Sequence, residues 1–378
     1  MVRWLRDTGR VFLRTSICVL GVLLLAGNSA GQRAPQASPA LQKAIADAAK
    51  KYNIPGVAAA LIEHGQLHAI EVYGVRDRKS AAPVTANTIF EAGSLGEPVY
   101  AYSVLLLSAQ GRFNAGAPLT GYLPLPYIRD LDPISASSAS ESLYDPRFNQ
   151  ITAIRVMNHT SGMPDLARNQ HLRLLLPPGQ KWLYSNEGYI YLQRVVVSVA
   201  GESFEAFVAR SILAPAGMAR SGFVWKEAYA GDMATGYDRS GATIEMHRYL
   251  RPAAALTLYT SVRDYAQFVA YLLASAPARQ EHESAVSLML NPTVSVDDPI
   301  PLSWGLGLGL EKTGDDLFFF HRGNGLGMQS FVIASRKTGN GIVIFTNSGN
   351  GLAAIPDIVT TILGGNHPVL KSAFLQSR

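Results

Sequence analysis

The 378-residue chain holds one cysteine, Cys18, and only 16% of its residues are charged. One cysteine excludes an intramolecular disulfide framework and a cysteine-rich zinc site. The eight histidines show no H-E-x-x-H or comparable ligand spacing, so neither metal nor cofactor is expected. His64, His68 and His171 read as surface or loop residues. No run of five or more basic residues occurs, so nucleic-acid binding lacks support although the formal net charge is +5. Gly305, Gly307 and Gly309 alternate at period two with no helix after them, which excludes a dinucleotide-binding loop. Disorder is excluded as well, because 48% of the residues are hydrophobic.

What is present begins with a leader. Arg3, Arg6, Arg10 and Arg14 stand against a single Asp7, and an apolar run from Ile17 to Ala26 is interrupted only by Gly21. Small residues follow, Gly27 to Gly31. A basic start, a short apolar run and a small-residue exit describe a secretory signal over residues 1–30. The run is shorter than the roughly 20 residues that span a bilayer. Ala30 suits the last leader position, whereas Asn28 fits poorly two residues earlier. The leader carries a net charge of +3, so its removal leaves +2 and takes Cys18 with it. The expected location is exported, periplasmic or secreted, with membrane contact only through an uncleaved leader. Gly27-Asn28-Ser29-Ala30-Gly31 matches G-x-S-x-G, but it lacks the strand before and helix after that such a nucleophile turn needs.

Residues 31–38 read as a linker and 39–378 as one domain. Leu41, Ile45, Ala48 and Ala49 share a helical face, with Ser38 as N-cap and Pro39 at the first helical position. A hairpin is expected around His64-Gly65-Gln66, between strands 57–62 and 67–73. Helices are expected over 98–110, 186–200, 203–213, 262–274 and 351–363. Residues 116–150 read as a long irregular segment of the kind that shapes binding loops. Strands are expected over 304–310, 316–321, 328–335 and 341–347. Strands at both chain ends with helices between imply an α/β (α+β) fold. One sheet is built from both termini, with a helical lobe, roughly 95–300, inserted into it.

Three short segments carry chemistry. Ser94 lies in Phe90-Glu91-Ala92-Gly93-Ser94-Leu95-Gly96-Glu97-Pro98, ahead of an apolar helix. One reading is a capping box, with Ser94 as N-cap and Glu97 three residues on. The other is a nucleophile whose developing charge is favoured by a helix N-terminus, with position 97 on the same face. Tyr184 and Asn186 lie two apart before another helix, so an extended segment projects them to one side. His321-Arg322-Gly323-Asn324 ends an apolar strand, where a glycine lets a substrate approach the backbone.

In this order the three segments resemble the penicillin-recognising serine hydrolases. That family comprises class C β-lactamases, D-alanyl-D-alanine carboxypeptidases and related esterases, with S-x-x-K, then Y-x-N, then K-T-G or H-x-G. Tyr184 follows Ser94 by 90 residues and His321 follows Tyr184 by 137. Flanking segments agree: Val156-Met157-Asn158-His159-Thr160-Ser161-Gly162-Met163, Pro215-Ala216-Gly217-Met218 and Trp304-Gly305-Leu306-Gly307. The resemblance implies an antiparallel sheet backed by helices, an all-helical lobe and an active site between them. It implies Ser94 as acylated nucleophile, Tyr184 as general acid/base and Asn186 as substrate-orienting amide. His321 takes the place of the third-motif cation beside Gly323, and the N–H groups of Ser94 and Asn324 form the oxyanion hole. The implied partner is a small-molecule or cell-wall-derived substrate. Lys337-Thr338-Gly339 reads as turn chemistry between two strands rather than as the third motif.

The departure is Glu97, which stands where the family has lysine. A carboxylate disfavours an ionised Tyr184 and repels substrate carboxylates. An unshifted glutamate is also a weak base at neutral pH. Two readings follow: an altered serine hydrolase with Glu97 or Tyr184 as base, or a non-catalytic relative that keeps the cleft for binding. From sequence alone, Glu97→Lys is expected to raise ester hydrolysis.

Overall fold

The structure, a computed structural model, describes residues 36–130, 139–167, 171–275, 278–296 and 299–376. The expected leader, with Cys18, lies outside the described residues, as does most of the expected linker. The linker's last residues run along the sheet, where the Gln36 N–H donates to the His68 carbonyl at 2.7 Å.

Helix α1 (Pro39–Lys51) starts as the sequence predicts, with the Ser38 side chain accepting from the Leu41 N–H and Pro39 in the first turn. It buries Leu41, Ile45, Ala48 and Ala49. Strands β1 (Gly56–Glu63) and β2 (Gln66–Asp77) form the expected hairpin, and short β3 (Ala82–Pro83) extends it. Strand β4 (Ile89–Gly93) then leads into helix α2 (Gly96–Ala109). The long irregular segment contains a small hairpin, β5 (Tyr127–Asp130) with β6 (Ser140–Leu143). Helices α3 (Ala153–Met157), α4 (Asn186–Ala200) and α5 (Phe204–Val208) follow. The single helix expected over 203–213 is α5 continued by a wider π-helical turn over 209–213.

Strand β7 (Leu258–Ser261) pairs antiparallel with β4 and runs into helix α6 (Val262–Leu273), which helix α7 (Gln280–Met289) follows. The chain returns to the sheet through β8 (Val294–Ser295), β9 (Leu302–Trp304), β10 (Gly309–Thr313), β11 (Asp316–Gly325), β12 (Met328–Ser335) and β13 (Gly341–Thr346). Helices α8 (Gly351–Leu363) and α9 (Ala373–Gln376) close the described chain. Among the described residues the main sheet has nine strands in the order β3-β2-β1-β13-β12-β11-β10-β9-β8, and every neighbour pair is antiparallel. β1 beside β13 joins the two chain ends.

Two expectations need correction. Residues 304–310 are not one strand, because the chain bends between β9 and β10. Gly307 has φ +88°, and a Cβ on Gly305 would lie 1.9 Å from the Met289 carbonyl oxygen. The period-two glycines mark a close-packed bend, not a pleat. Likewise, His321 does not end its strand; β11 continues to Gly325 and keeps pairing with β12. Lys337-Thr338-Gly339 does form a surface turn, with Gly339 at φ +71° and Lys337 paired to Asp315.

One face of the sheet packs against α1 and α8 through Ile45, Ile344, Ile355 and Ile358. The other covers Phe90, Val99, Tyr265 and Phe345 in the layer that contains α2 and α6. Each fully buried aromatic or branched side chain contributes roughly 1.5–3 kcal/mol. The layered core therefore holds the β4–α2 junction against β11 and β12.

Candidate active site

Ser94 occupies the sharp junction between β4 and α2. Two glycines make its position available. Gly93 has φ +51°, and a Cβ there would lie 2.3 Å from the Asn324 carbonyl oxygen. A Cβ on Gly323 would meet the Ala92 carbonyl oxygen at 2.0 Å. The absence of side chains thus lets the Ser94 junction touch β11 directly. The Tyr265 hydroxyl donates to the Leu95 carbonyl at 3.1 Å and fixes the next residue.

The capping box, the alternative reading of Ser94 and Glu97, does not form. Helix α2 takes Leu95 as N-cap, with no side-chain cap bond. Glu97 turns inward and is fully buried. Its Oε1 accepts a 2.6 Å hydrogen bond from the Tyr184 hydroxyl. Its Oε2 lies 3.2 Å from His159 Nε2 and 3.5 Å from His321 Nε2. One carboxylate oxygen thus lies within reach of both rings. Burial by itself raises a carboxyl pKa, but here the contacts to His159 and His321 outweigh it. Glu97 is held below the ordinary carboxylate value.

Tyr184 moves the other way. Burial first, then the charge of Glu97 and the bond to it, push the phenol well above its ordinary value, against a lowering contact from the Ser94 hydroxyl. The ring keeps partial exposure, and the negative charge of Glu97 acts in the same direction as burial. Tyr184 is therefore a neutral phenol that touches Ser94 on one side and donates to Glu97 on the other.

His159 joins the site although the sequence marks its segment, Val156–Met163, only as a flanking resemblance. It sits just past α3 with φ +58°. The Thr160 N–H donates to the Arg155 carbonyl at 2.8 Å, and the His159 N–H to the Val156 carbonyl at 3.0 Å. These two bonds define a Schellman stop whose left-handed position usually carries glycine. A bulky side chain there costs backbone energy, of order 1 kcal/mol. The available signal was a helix stop with histidine where glycine is ordinary. The ring packs 4.4 Å from Tyr184 and 5.2 Å from Trp304, centroid to centroid. Trp304 also approaches His321 at 5.6 Å and is fully buried.

Asn186 starts α4 but does not reach freely toward the site. Its Nδ2 donates to Asp165, and its buried Oδ1 has no partner. Asp165, exposed beside the site, is a second residue that sequence reasoning missed. Asn324 is exposed on β11, where Gln329 Nε2 donates to its Oδ1 at 2.9 Å. The structure thus brings Ser94, Glu97, Tyr184, His321, Gly323 and Asn324 together and adds His159.

The triplet Glu97, His159 and His321 has the residue types of a metal site. Among the described residues, however, no group of three such side chains is arranged to hold an ion. Hydrogen bonding explains why. The Ser185 N–H donates to His159 Nδ1 at 3.2 Å, so the proton of a neutral ring sits on Nε2, the atom that faces Glu97. A protonated nitrogen cannot ligate a metal.

A family model described as Beta-lactamase matches residues 41–359. The chain belongs to that family. Among curated relatives, it is 23% identical to a β-lactamase of Pseudomonas fluorescens over 271 residues, which cover 68% of this chain and 70% of that one. It is 22% identical to Protein flp of Staphylococcus aureus (strain N315), matching 81% of this chain but only 62% of that longer protein. Its fold is similar to the solved β-lactamase/D-alanine carboxypeptidase of Pseudomonas syringae. There the TM-score is 0.72 at 16% identity, covering 87% of this chain and 99% of that one. A solved class C β-lactamase is similar with TM-score 0.71 at 18% identity, over 87% and 96% of the two chains. The β-lactamase-related serine hydrolase fold expected from the three motifs is therefore the fold this chain has.

Proposed function

We propose that this chain is an exported serine hydrolase that cleaves neutral esters through an acyl-enzyme, with Glu97 in the role the family gives to lysine. The observation that carries this reading is the 2.6 Å bond from the Tyr184 hydroxyl to Glu97 Oε1, with the Ser94 hydroxyl against the same phenol. A phenol that donates to a carboxylate keeps lone pairs available for the serine proton. As Ser94 Oγ bonds to the substrate carbonyl carbon, its proton passes to Tyr184 Oη, and the Tyr184 proton passes to Glu97 Oε1. The relay reverses to protonate the leaving alkoxide. A water, activated by the same relay, then releases the acid and restores Ser94.

In this reading the N–H groups of Ser94 and Asn324 receive the oxyanion. Trp304, His159 and the Tyr184 ring enclose the fully buried Glu97 end of the relay, which strengthens each charge contact there. Carboxylates at 97 and 165 disfavour anionic substrates, so neutral esters are the preferred class over β-lactams and D-amino-acid peptides. The leader pattern in residues 1–30 supports export. Among the described residues, no helix is long and apolar enough to cross a membrane.

The test is a panel of p-nitrophenyl esters, peptides and β-lactams with a fluorophosphonate probe. The expected outcome is ester turnover and stoichiometric labelling, both lost in Ser94→Ala. A folded chain that neither labels nor turns over any member is a binding protein, and the hydrolase reading fails.

A further inference from the structure

The Tyr184 ring is packed by rings from four positions. His159 lies 4.4 Å away, Trp182 6.2 Å, Phe374 6.3 Å and Trp304 6.5 Å, centroid to centroid. All four separations suit favourable aromatic pairs. Phe374 stands apart from the others, because it comes from α9 and belongs to none of the three motifs. Its ring also lies 5.2 Å from Trp304, 5.6 Å from Phe320 and 6.0 Å from His321. The Arg322 guanidinium sits over the same ring, 5.1 Å from its centroid, where a cation is attracted to the ring face. One side chain therefore bridges the Tyr184 segment and β11.

Helix α9 has four residues, too few to hold a place by helical stability alone. Tethers set it instead. Glu311, buried on β10, accepts from the Val369 N–H at 2.7 Å and lies 2.6 Å from His367 Nδ1. Ser372 Oγ donates to the Val369 carbonyl at 2.7 Å and accepts from the Leu375 N–H at 3.3 Å. These bonds fix the turn ahead of α9 and so the direction of Phe374. The next residue, Leu375, lines a cavity of about 390 Å³ together with Arg322 and Asn324. Helix α9 thus borders open space beside β11 as well as the core.

We infer that Phe374 is a positioning residue, whose ring sets the angle of the Tyr184 phenol between Ser94 and Glu97. The catalytic consequence rests on the relay proposed above. In that relay Tyr184 presents a lone pair to Ser94 while its own proton points at Glu97. Without the Phe374 ring, the phenol gains room to tilt and flip, and the two contacts no longer hold together. The N–H groups of Ser94 and Asn324 are untouched, so substrate binding persists while turnover falls.

The test compares Phe374→Ala with Ile358→Ala, which truncates a buried side chain of α8 that takes no part in the site. Two readouts are taken on the full chain. One is ester kcat and KM per folded molecule. The other is the flip rate of the Tyr184 ring by carbon-13 NMR, with Tyr184→Phe used only for assignment. In Phe374→Ala, kcat should fall about tenfold or more while KM changes less than about twofold. The Tyr184 ring should flip faster. Ile358→Ala should leave both readouts at their unmodified values. If Phe374→Ala does not fold, Phe374→Leu, which fills the space without a ring, carries the same two readouts. An unchanged Tyr184 flip rate overturns the inference, as does a kcat loss that Ile358→Ala reproduces. A chain that turns over no ester removes the hydrolase reading, and the flip rate then decides the positioning by itself.

Discussion

Two buried carboxylates stand on either side of the Tyr184–Asn186 segment, and they have opposite characters. Glu187, in the first turn of α4, faces Arg129 from β5. The guanidinium donates to its Oε1 at 2.6 Å and its Oε2 at 3.1 Å. Arg129 also donates to Glu141 at 2.8 Å and to the Ala167 carbonyl at 2.9 Å. The Ala167 N–H returns to Glu187 Oε1 at 2.9 Å. Both side chains of the Arg129–Glu187 pair are 1% exposed. Glu97 is as deeply buried, but its neighbours are a phenol and two imidazoles. An arginine does not release its proton in a protein, so the Glu187 cluster is a fixed brace. Tyrosine and histidine exchange protons, so the Glu97 cluster can do chemistry. Burial is the same in both places, and the partner decides whether the carboxylate holds structure or moves protons.

Arg129→Met is the change that separates the two regions most sharply. It removes the arginine from buried Glu187, which keeps the Ala167 N–H, and from Glu141, which keeps His171 and the Leu172 N–H; the expected loss of unfolding free energy is about 3–5 kcal/mol by denaturant titration. Ester turnover per folded molecule should persist. If stability holds and turnover collapses, the brace belongs to the reactive cluster, and the contrast between the regions disappears.

A smaller effect is expected at a third buried carboxyl. Glu91 on β4 accepts from the Leu326 N–H and the Tyr249 hydroxyl, both at 3.3 Å, while its Oε1 is buried without a partner. Burial pushes it up to about 7 despite those two bonds. In the unfolded chain the same carboxyl ionises near its ordinary value of 4.5. Stability is therefore lost as pH rises from about 4.5 to about 7, and no more is lost from this group above that window. Glu91→Gln should recover about 2 kcal/mol at pH 8 and much less at pH 5, read by thermal unfolding at both values. An equal gain at both pH values contradicts a neutral Glu91 in the fold.

The legible parts of this molecule were those written locally. The β1–β2 hairpin, α1, α4, α6, β12, β13 and α8 followed from periodicity and turn residues within one segment. The order of Ser94, Tyr184 and His321 was legible because each lies in a short motif. What escaped were contacts between distant segments. His159 and Glu97 are 62 positions apart in the sequence. Arg129 and Glu187 are 58 apart. Their meeting depends on how α3 stops and how the β5–β6 hairpin folds back, and no single window records either. Leucine and glycine alternating over 304–310 imitated a strand, because period two cannot tell a pleat from a glycine bend packed against α2. The capping box at Ser94 failed for a related reason. Its spacing was correct, but Glu97 finds three polar partners in the interior, and these outcompete one N–H at the helix start.

The geometry also reverses the expected effect of a lysine at position 97. An ammonium there would face the fixed Nε2–H of His159 and the imidazole of His321, and it would lose the bond from Tyr184. The deciding measurement is the ester kcat/KM of the unmodified chain, Glu97→Gln and Glu97→Lys, each with its folded fraction determined. If Glu97 is the base behind Tyr184, both variants fall by about a hundredfold or more. A Glu97→Lys chain that matches or exceeds the unmodified one would show that the carboxylate has no part in the reaction.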